Sequence, residues 1–211
     1  MSRQLALRLR PALAFYQVEL AEAEELLIAW RHPLHLPDDE YPHGRPYTRP
    51  FGRLAFVMQH GSRPSAAVVL ASTINSSVCK ERGWHRYNTV DLARIARSPD
   101  RRDNHSLRAV LRITREYLVP LWLGNYAAWD KRSAELCGRP QIAALASTSL
   151  PGTPGHLYRF DGFKQIRTST GPKGGGRQRP STANAIADGA RGLWVYSYKR
   201  PLTAADRPNH L

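Results

Sequence analysis

Apolar residues along the chain fall into short segments typical of β-strands, separated by segments with a helical period. Strand-like alternation or short apolar runs occupy residues 12–20, 51–59, 65–73, 89–96, 142–149, 163–168 and 193–199. The turn residues His60-Gly-Ser-Arg-Pro, between the second and third of these segments, predict an antiparallel hairpin. Helical spacing predicts helices over 21–30 and 105–118, and one or two helical turns between Gly155 and Gly162. The pattern therefore predicts an α/β (α+β) chain.

The segment 89–118 combines a strand, a basic loop and an amphipathic helix that Asn104 is predicted to cap. The apolar positions of this helix lie on one face and its arginines on the other: Leu107, Val110, Leu111, Thr114 and Leu118 against Arg108, Arg112 and Arg115. A helix N-terminus presents unpaired N–H groups and a positive dipole end, and Arg101 and Arg102 add charge just before it. These features favour a phosphate site. The alternative is an ordinary capped helix after a basic loop.

The charge of the chain is strongly positive. Its 31 lysines and arginines outnumber its 17 aspartates and glutamates, which leaves a net charge of +14. Arginine supplies most of this charge, and its guanidinium binds phosphate in a bidentate manner and stacks on bases. A polyanion is therefore an expected partner, with nucleic acid as the first candidate. The alternative is a basic surface that serves only to attract an anionic cofactor.

Three segments interrupt the pattern of strands and helices. Residues 31–50 form a loop rich in Pro, His and Tyr, and residues 119–140 read as a helical insertion broken by proline and glycine. Residues 169–191 are basic and rich in glycine, which predicts either a flexible arm that becomes ordered on nucleic acid or a disordered hairpin loop. The spacing of His32 and His35 is compatible with a metal, but neighbouring ligands are too few to predict a metal site.

Aromatic residues alternate with basic ones between residues 75 and 88, a composition that suits stacking on bases and contacts with phosphates. A buried Trp84 is an equally ordinary explanation of that tryptophan. The candidate nucleic-acid-binding residues are Trp84, Arg86, Lys173, Arg177 and Arg179.

The sequence also bears on the compartment. No apolar run is long enough to span a bilayer, and arginines interrupt the N-terminus too often for a secretory signal. Cys79 and Cys137 belong to no CxxC pair, so reduced thiols are expected. We expect a cytoplasmic protein with no membrane partner. The oligomeric state stays open, and a homodimer is compatible with the sequence.

The basic loop resembles the coenzyme A pyrophosphate loop of the GCN5-related N-acetyltransferase (GNAT) family, written Gln/Arg-x-x-Gly-x-Gly/Ala. Arg101, Asn104 and Ser106 occupy its three marked positions, although both glycines are replaced. The order of predicted elements is also similar to that family. The resemblance implies one domain with a mixed, mostly antiparallel central sheet flanked by helices, and the use of acetyl-CoA or another acyl-CoA. The implied coenzyme-binding residues are Arg94, Ile95, Ala96, Arg101, Arg102, Asn104, His105 and Ser106.

Within that family, three segments resemble the phage Mom-like DNA-modification proteins. They are Asp91-Leu-Ala-Arg-Ile, Asn104-His-Ser and Gly152-Thr-Pro-Gly-His-Leu-Tyr-Arg-Phe-Asp-Gly-Phe, which lie within residues 50–170. This chain differs by carrying Phe163 where that branch usually has tryptophan. The resemblance implies modification of the exocyclic amine of adenine in DNA. It is also the sole basis on which iron would be a further cofactor.

Acyl transfer to an amine needs an acid for the departing thiolate and an acceptor for the amine proton. By the same resemblance Tyr158 is the candidate acid and Asp91 the candidate base or water-holder. The alternatives are a packing tyrosine and a carboxylate in a strand-edge salt bridge. Two other functions stay open: a non-enzymatic basic protein that binds nucleic acid, and an acetyltransferase for a small amine or a protein.

Overall fold

The computed structural model describes residues 13–32, 53–73, 77–100, 105–149, 155–169 and 191–208. Its strands are β1 (Leu13–Val18), β2 (Leu54–His60), β3 (Arg63–Ser72), β4 (Ser77–Cys79), β5 (Trp84–His85), β6 (Thr89–Arg97), β7 (Ile142–Thr148), β8 (Lys164–Ser169) and β9 (Arg191–Leu202). Its α-helices are α1 (Leu20–Ala29), α2 (His105–Ile113), α3 (Val119–Trp122), α4 (Ala127–Cys137) and α5 (His156–Phe160). The strands and helices predicted from periodicity lie within a few residues of these bounds.

Seven of the described strands form one sheet in the order β1-β2-β3-β6-β7-β9-β8. All of its neighbours are antiparallel except the central pair β6 and β7, which is parallel. Strands β4 and β5 pair separately, between β3 and β6 in the sequence. The predicted fold class, a mixed and mostly antiparallel sheet flanked by helices in one domain, is confirmed.

Helices cover both faces of this sheet. On one face, Ala23 and Leu27 of α1 pack on a cluster formed by Ala55, Val57, Ala67 and Val69. The other face carries the larger cluster, in which Val110 and Leu111 of α2 contact the central strands. Full burial of the larger side chains, such as Leu27, Val110 and Leu111, stabilises the fold by about 1.5–3 kcal/mol each. The larger cluster includes Val90 and Leu92 of β6 and Leu145 of β7, so it packs the central strands against α2.

The long helix after the basic loop changes pitch at Thr114–Leu118, where one π-turn joins α2 to α3. Pro120 explains the change, because it lacks the N–H that would donate to a carbonyl one turn earlier. In a π-turn, an N–H at position 120 would donate to the carbonyl five residues earlier, which is that of Arg115. The hydroxyl of Tyr198 donates to that carbonyl at 3.0 Å instead. A residue of β9 thus replaces the hydrogen bond that proline removes.

The segment 119–140 joins the larger cluster through its aromatic residues. The ring of Trp122 lies edge-on to Trp129 at 4.8 Å and tilted to Tyr126 at 5.0 Å. The indole N–H of Trp129 donates to the carbonyl of Arg86 at 2.9 Å, which ties α4 to the turn before β6. None of the helices in the described ranges is both long and apolar enough to cross a lipid bilayer.

Candidate active site

The central strands β6 and β7 are paired over three residues and then separate. Thr89, Val90 and Asp91 pair with Ala144, Leu145 and Ala146, after which the ladder ends. Strand β6 also bulges at Ala93, because Leu92 and Arg94 lie opposite consecutive residues of β3. A cavity of about 430 Å³ occupies the cleft. Its described lining is His32, Leu92, Ala93, Arg94, Ile95, Leu107, Ser147, Thr148, Ser149, Gly155, His156, Leu157 and Tyr158.

Tyr158 projects into the apex of this cleft from α5. It is only 8% exposed, and its ring packs against Phe163 at 5.5 Å and stacks on Trp194 at 6.0 Å. Its hydroxyl lies 2.9 Å from Oγ of Ser147. Burial raises the pKa of Tyr158 above its ordinary value, and the Ser147 hydrogen bond opposes that rise. The phenol therefore holds its proton at neutral pH, as an acid must before it acts.

Asp91 lies at the end of the paired segment but is not among the described residues that line the cavity. It is 7% exposed. Its neighbours Val90 and Leu92 belong to the same cluster as Tyr158, and side chains alternate along a strand, so Asp91 points to the opposite face. The structure therefore does not bring the two predicted catalytic side chains into one cavity. The assignment of Asp91 as the base stays a prediction.

The predicted coenzyme residues divide into four groups. Arg94 and Ile95 line the cavity, as does Leu107 in the first turn of α2. Ala96 packs against the α1 cluster and lies outside the described lining. His105 and Ser106 begin α2, next to Leu107. The remaining three, Arg101, Arg102 and Asn104, lie outside the described residues, so the phosphate-binding role of that loop stays a prediction.

The prediction that Trp84 stacks on a base is wrong for this structure. The side chain is 7% exposed and packs in a cluster with Val78, Ala144, Ala146 and Val195. The guanidinium of Arg82 covers the ring at 5.2 Å from its centroid. Trp84 is thus a core residue, the alternative explanation that the sequence left open. Apolar cover, not base stacking, is what this indole provides.

The other predicted nucleic-acid residues have separate positions. The Nε of Arg86 donates to the carbonyl of Thr73 at 3.1 Å, which gives this arginine a role in joining the chain around β4 and β5. Lys173, Arg177 and Arg179 lie outside the described residues, as does most of the glycine-rich segment. Their contacts with nucleic acid stay predictions.

Sequence reasoning missed Ser147 and His156 as residues of the cavity. Both lie within segments that the sequence predicts, the strand 142–149 and the helical turns between Gly155 and Gly162. Its position could have pointed to Ser147, because it is a serine near the end of a buried strand that pairs with β6. Only the position at which β6 and β7 separate shows that it faces Tyr158.

Metal binding finds no support in this site. Among the described residues, no three His, Cys, Asp or Glu side chains lie close enough to hold an ion. His32 lines the cavity, whereas His35 lies outside the described residues. Iron, which was implied by resemblance alone, has no observation in its favour.

Solved structures with the same fold include N-acetyltransferases. One is the crystal structure of a candidate phosphinothricin N-acetyltransferase, with 10% identity, a TM-score of 0.51, and coverage of 90% of this chain and 100% of that one. Another is an IAA acetyltransferase from Bacillus cereus ATCC 14579, with 14% identity, a TM-score of 0.50, and coverage of 89% and 100%. No protein-family model and no curated protein matches the sequence. The comparison shows that the chain has the GNAT acetyltransferase fold.

Proposed function

We propose that this protein is an acyl-CoA-dependent N-acyltransferase that transfers the acyl group at the cleft between β6 and β7. The observation that carries the proposal is the buried hydroxyl of Tyr158 at the apex of that cleft, in the GNAT fold. Function does not follow from fold alone. The position of an acid at the point where the central strands separate supports acyl transfer more specifically.

The cavity suits the pantetheine end of an acyl-CoA. Its volume of about 430 Å³ is within the common range for small-molecule sites, and Leu92, Ile95, Leu107 and Leu157 supply apolar contact. Beyond Asp91 the main chain of β6 no longer pairs with β7, so its polar groups border the cavity. Such groups suit the amides of an extended pantetheine, and the cationic Arg94 suits its anionic part. When bound, the thioester would supply an activated acyl carbon.

The residues of the chain would then act on protons. The amine forms a bond to the acyl carbon as the C–S bond breaks, and the electron pair of that bond remains on sulfur. Tyr158 donates its hydroxyl proton to this sulfur, so the products are an amide, a thiol and a tyrosinate that regains a proton from solvent. The proton lost by the amine needs a base. The titratable bases in the described lining are His32 and His156. Asp91 is not part of that lining, because its side chain lies on the opposite face of β6.

Acetyl-CoA is expected to raise the melting temperature of the protein. A ligand that binds only the folded state stabilises it by about 2.7 kcal/mol at 100 times its Kd. For a chain of this size that free energy corresponds to a shift of about 5–10 °C. The measurement is a thermal melt over a series of acetyl-CoA concentrations, with Tyr158→Phe as a variant that should keep the shift. A flat response at millimolar acetyl-CoA contradicts the proposal.

We further propose that the acceptor is the exocyclic amine of a base in DNA. The net charge of +14 supports a polyanionic acceptor. The segment that resembles the Mom-like proteins supports it as well, because Tyr158 from that segment lines the cavity and Phe163 packs on Tyr158. The base would have to leave the stack to reach the cleft. A small amine is the alternative acceptor, which the phosphinothricin N-acetyltransferase of similar fold favours.

DNA from cells that express the protein is expected to contain a modified adenine. Mass spectrometry of its nucleosides measures this directly, and Tyr158→Phe should lower the modified fraction. Binding of the purified protein to duplex DNA should also weaken steeply as salt rises, because neutralised phosphates release counterions. Unmodified DNA together with salt-independent binding would leave a small amine or a protein as the acceptor.

A further inference from the structure

We propose that Ser147 is a positioning residue for Tyr158. The hydroxyl of Ser147 holds the phenol at the apex of the cleft, and it redirects its own hydrogen bond to the tyrosinate when the phenol gives up its proton. This inference rests on the proposed role of Tyr158 as the acid. It adds a residue that neither the sequence pattern nor the fold comparison assigns.

Ser147 lies where the parallel ladder ends. Main-chain pairing between β6 and β7 stops at Asp91 and Ala146, one residue before it. Its Oγ lies 3.2 Å from the carbonyl oxygen of Leu92 and 2.9 Å from the hydroxyl of Tyr158. The side chain is 1% exposed, so water cannot readily replace either contact. One hydroxyl therefore joins the two separating strands and α5 at the apex.

A serine hydroxyl carries one hydrogen and two lone pairs, so it cannot donate to both oxygens at once. While Tyr158 is protonated, its hydroxyl donates to Ser147 and Ser147 donates to the carbonyl of Leu92. Once the proton has moved to the departing sulfur, the tyrosinate is the stronger acceptor, and rotation of the Ser147 hydroxyl directs its hydrogen to that anion. Hydrogen bonds to an anion are about twice as strong as neutral ones. Ser147 thereby lowers the free energy of the state in which the proton has left.

Among the described residues, Ser147 supplies the polar side chain that contacts the hydroxyl of Tyr158. Phe163 and Trp194 cover the ring with apolar surface. In the described lining of the same cavity, the other titratable or charged side chains are His32 after α1, Arg94 on β6 and His156 on α5, while Asp91 faces the other side of β6. The opposing effects of burial and of the Ser147 hydrogen bond on the pKa of Tyr158 agree with this arrangement.

The test measures the ionisation of Tyr158 without depending on activity. The full-length protein is labelled with 3-fluorotyrosine, and loss of one ¹⁹F resonance in Tyr158→Phe assigns the signal of Tyr158. Its pH titration is then followed in wild type, Ser147→Ala and Ser147→Thr. We expect Ser147→Ala to raise the pKa of this phenol, whereas Ser147→Thr, which retains a hydroxyl, keeps it near the wild-type value.

Ser65→Ala is the matched control. Ser65 of β3 is another buried serine of the sheet, and its Oγ donates to the carbonyl of Met58 of β2 at 3.0 Å. It should weaken the fold in a similar way and leave the Tyr158 resonance unchanged. A Tyr158 titration that is the same in Ser147→Ala and wild type overturns the inference. Equal shifts in Ser147→Ala and Ser65→Ala also overturn it, because they indicate a general loss of packing.

A kinetic measurement links the same contact to transfer. With acetyl-CoA as donor and duplex DNA as acceptor, we expect Ser147→Ala to lower kcat about tenfold and to leave the KM for acetyl-CoA unchanged, with Ser147→Thr restoring most of the rate. A rise in KM at constant kcat contradicts the role assigned to Ser147. Absence of acetyl-CoA binding by the wild type removes the proposed function, whereas intact binding and turnover with an unaffected Ser147→Ala removes this inference alone.

Discussion

Replacing Tyr158 with phenylalanine is expected to lower the rate of acyl transfer by about 10²–10⁴-fold, the usual contribution of a general acid. Phenylalanine retains the ring that packs against Phe163 and Trp194, so the shape of the cleft should persist. It lacks the hydroxyl, and the departing sulfur would then leave as an unprotonated thiolate. The loss should appear in kcat, with acetyl-CoA affinity close to that of the wild type.

The stability of this variant is the control for that prediction. Loss of the hydroxyl leaves Ser147 its contact with the carbonyl of Leu92, so the free energy of unfolding should fall by only about 1 kcal/mol. Wild-type kcat for Tyr158→Phe would show that the tyrosine is a packing residue, the alternative that the sequence left open. A melting temperature far below that of the wild type would assign the lost rate to misfolding.

The pH dependence of the wild type has a defined sign. Burial raises the pKa of Tyr158 above its ordinary value of 10.0, so the acid form persists through neutral pH. Because the pKa of Tyr158 is higher in the folded state than in the unfolded state, its contribution to the free energy of unfolding is fully present below pH 10. That contribution is lost as pH rises through the folded-state pKa. A fall in activity between pH 7 and 9 must therefore arise from the titration of another group.

Replacing Gly155 with alanine should cause the largest loss of stability and should also lower the rate of transfer. The backbone at Gly155 has φ +66°, which costs an L-residue about 1–2 kcal/mol. A Cβ there would also overlap the indole of Trp194, and such overpacking costs about 1–3 kcal/mol. The melting temperature should fall by roughly 10 °C. Because Trp194 stacks on Tyr158, its displacement should also lower kcat.

Gly83→Ala is the matched control for the backbone term. Gly83 has nearly the same backbone, with φ +65°, and a Cβ there would meet nothing within 4 Å. The two variants thus share the conformational penalty, and the difference between their free energies of unfolding, obtained from denaturant melts, measures the contact with Trp194. Equal losses in the two variants would show that Trp194 does not constrain Gly155, and would remove its predicted effect on Tyr158.

Several features of the site could be predicted from single residues. The glycine at 155 and the two turns after it predict α5, and thereby the place of Tyr158 just beyond a left-handed residue. The residues of β6 that line the cavity, which are Leu92, Ala93, Arg94 and Ile95, belong to a strand that its own composition predicts. The bulge at Ala93 leaves no such signal, because it is a mismatch between two strands that are distant in sequence. The π-turn likewise needs both Pro120 and a donor from β9, the hydroxyl of Tyr198.

Local patterns suffice to predict the strands, the main helices and the turn at Gly162 after α5, because a period of two or 3.6 residues and a left-handed turn depend only on neighbours in the chain. Contacts between distant segments, by contrast, bury Trp84, turn Asp91 and Tyr158 to opposite sides of the sheet and bring Ser147 to the hydroxyl of Tyr158. The last two outcomes depend on the register in which Asp91 of β6 meets Ala146 of β7. A slip of one residue in this pairing would turn Ser147 away from Leu92 and Tyr158, and no local pattern encodes a pairing between strands so far apart.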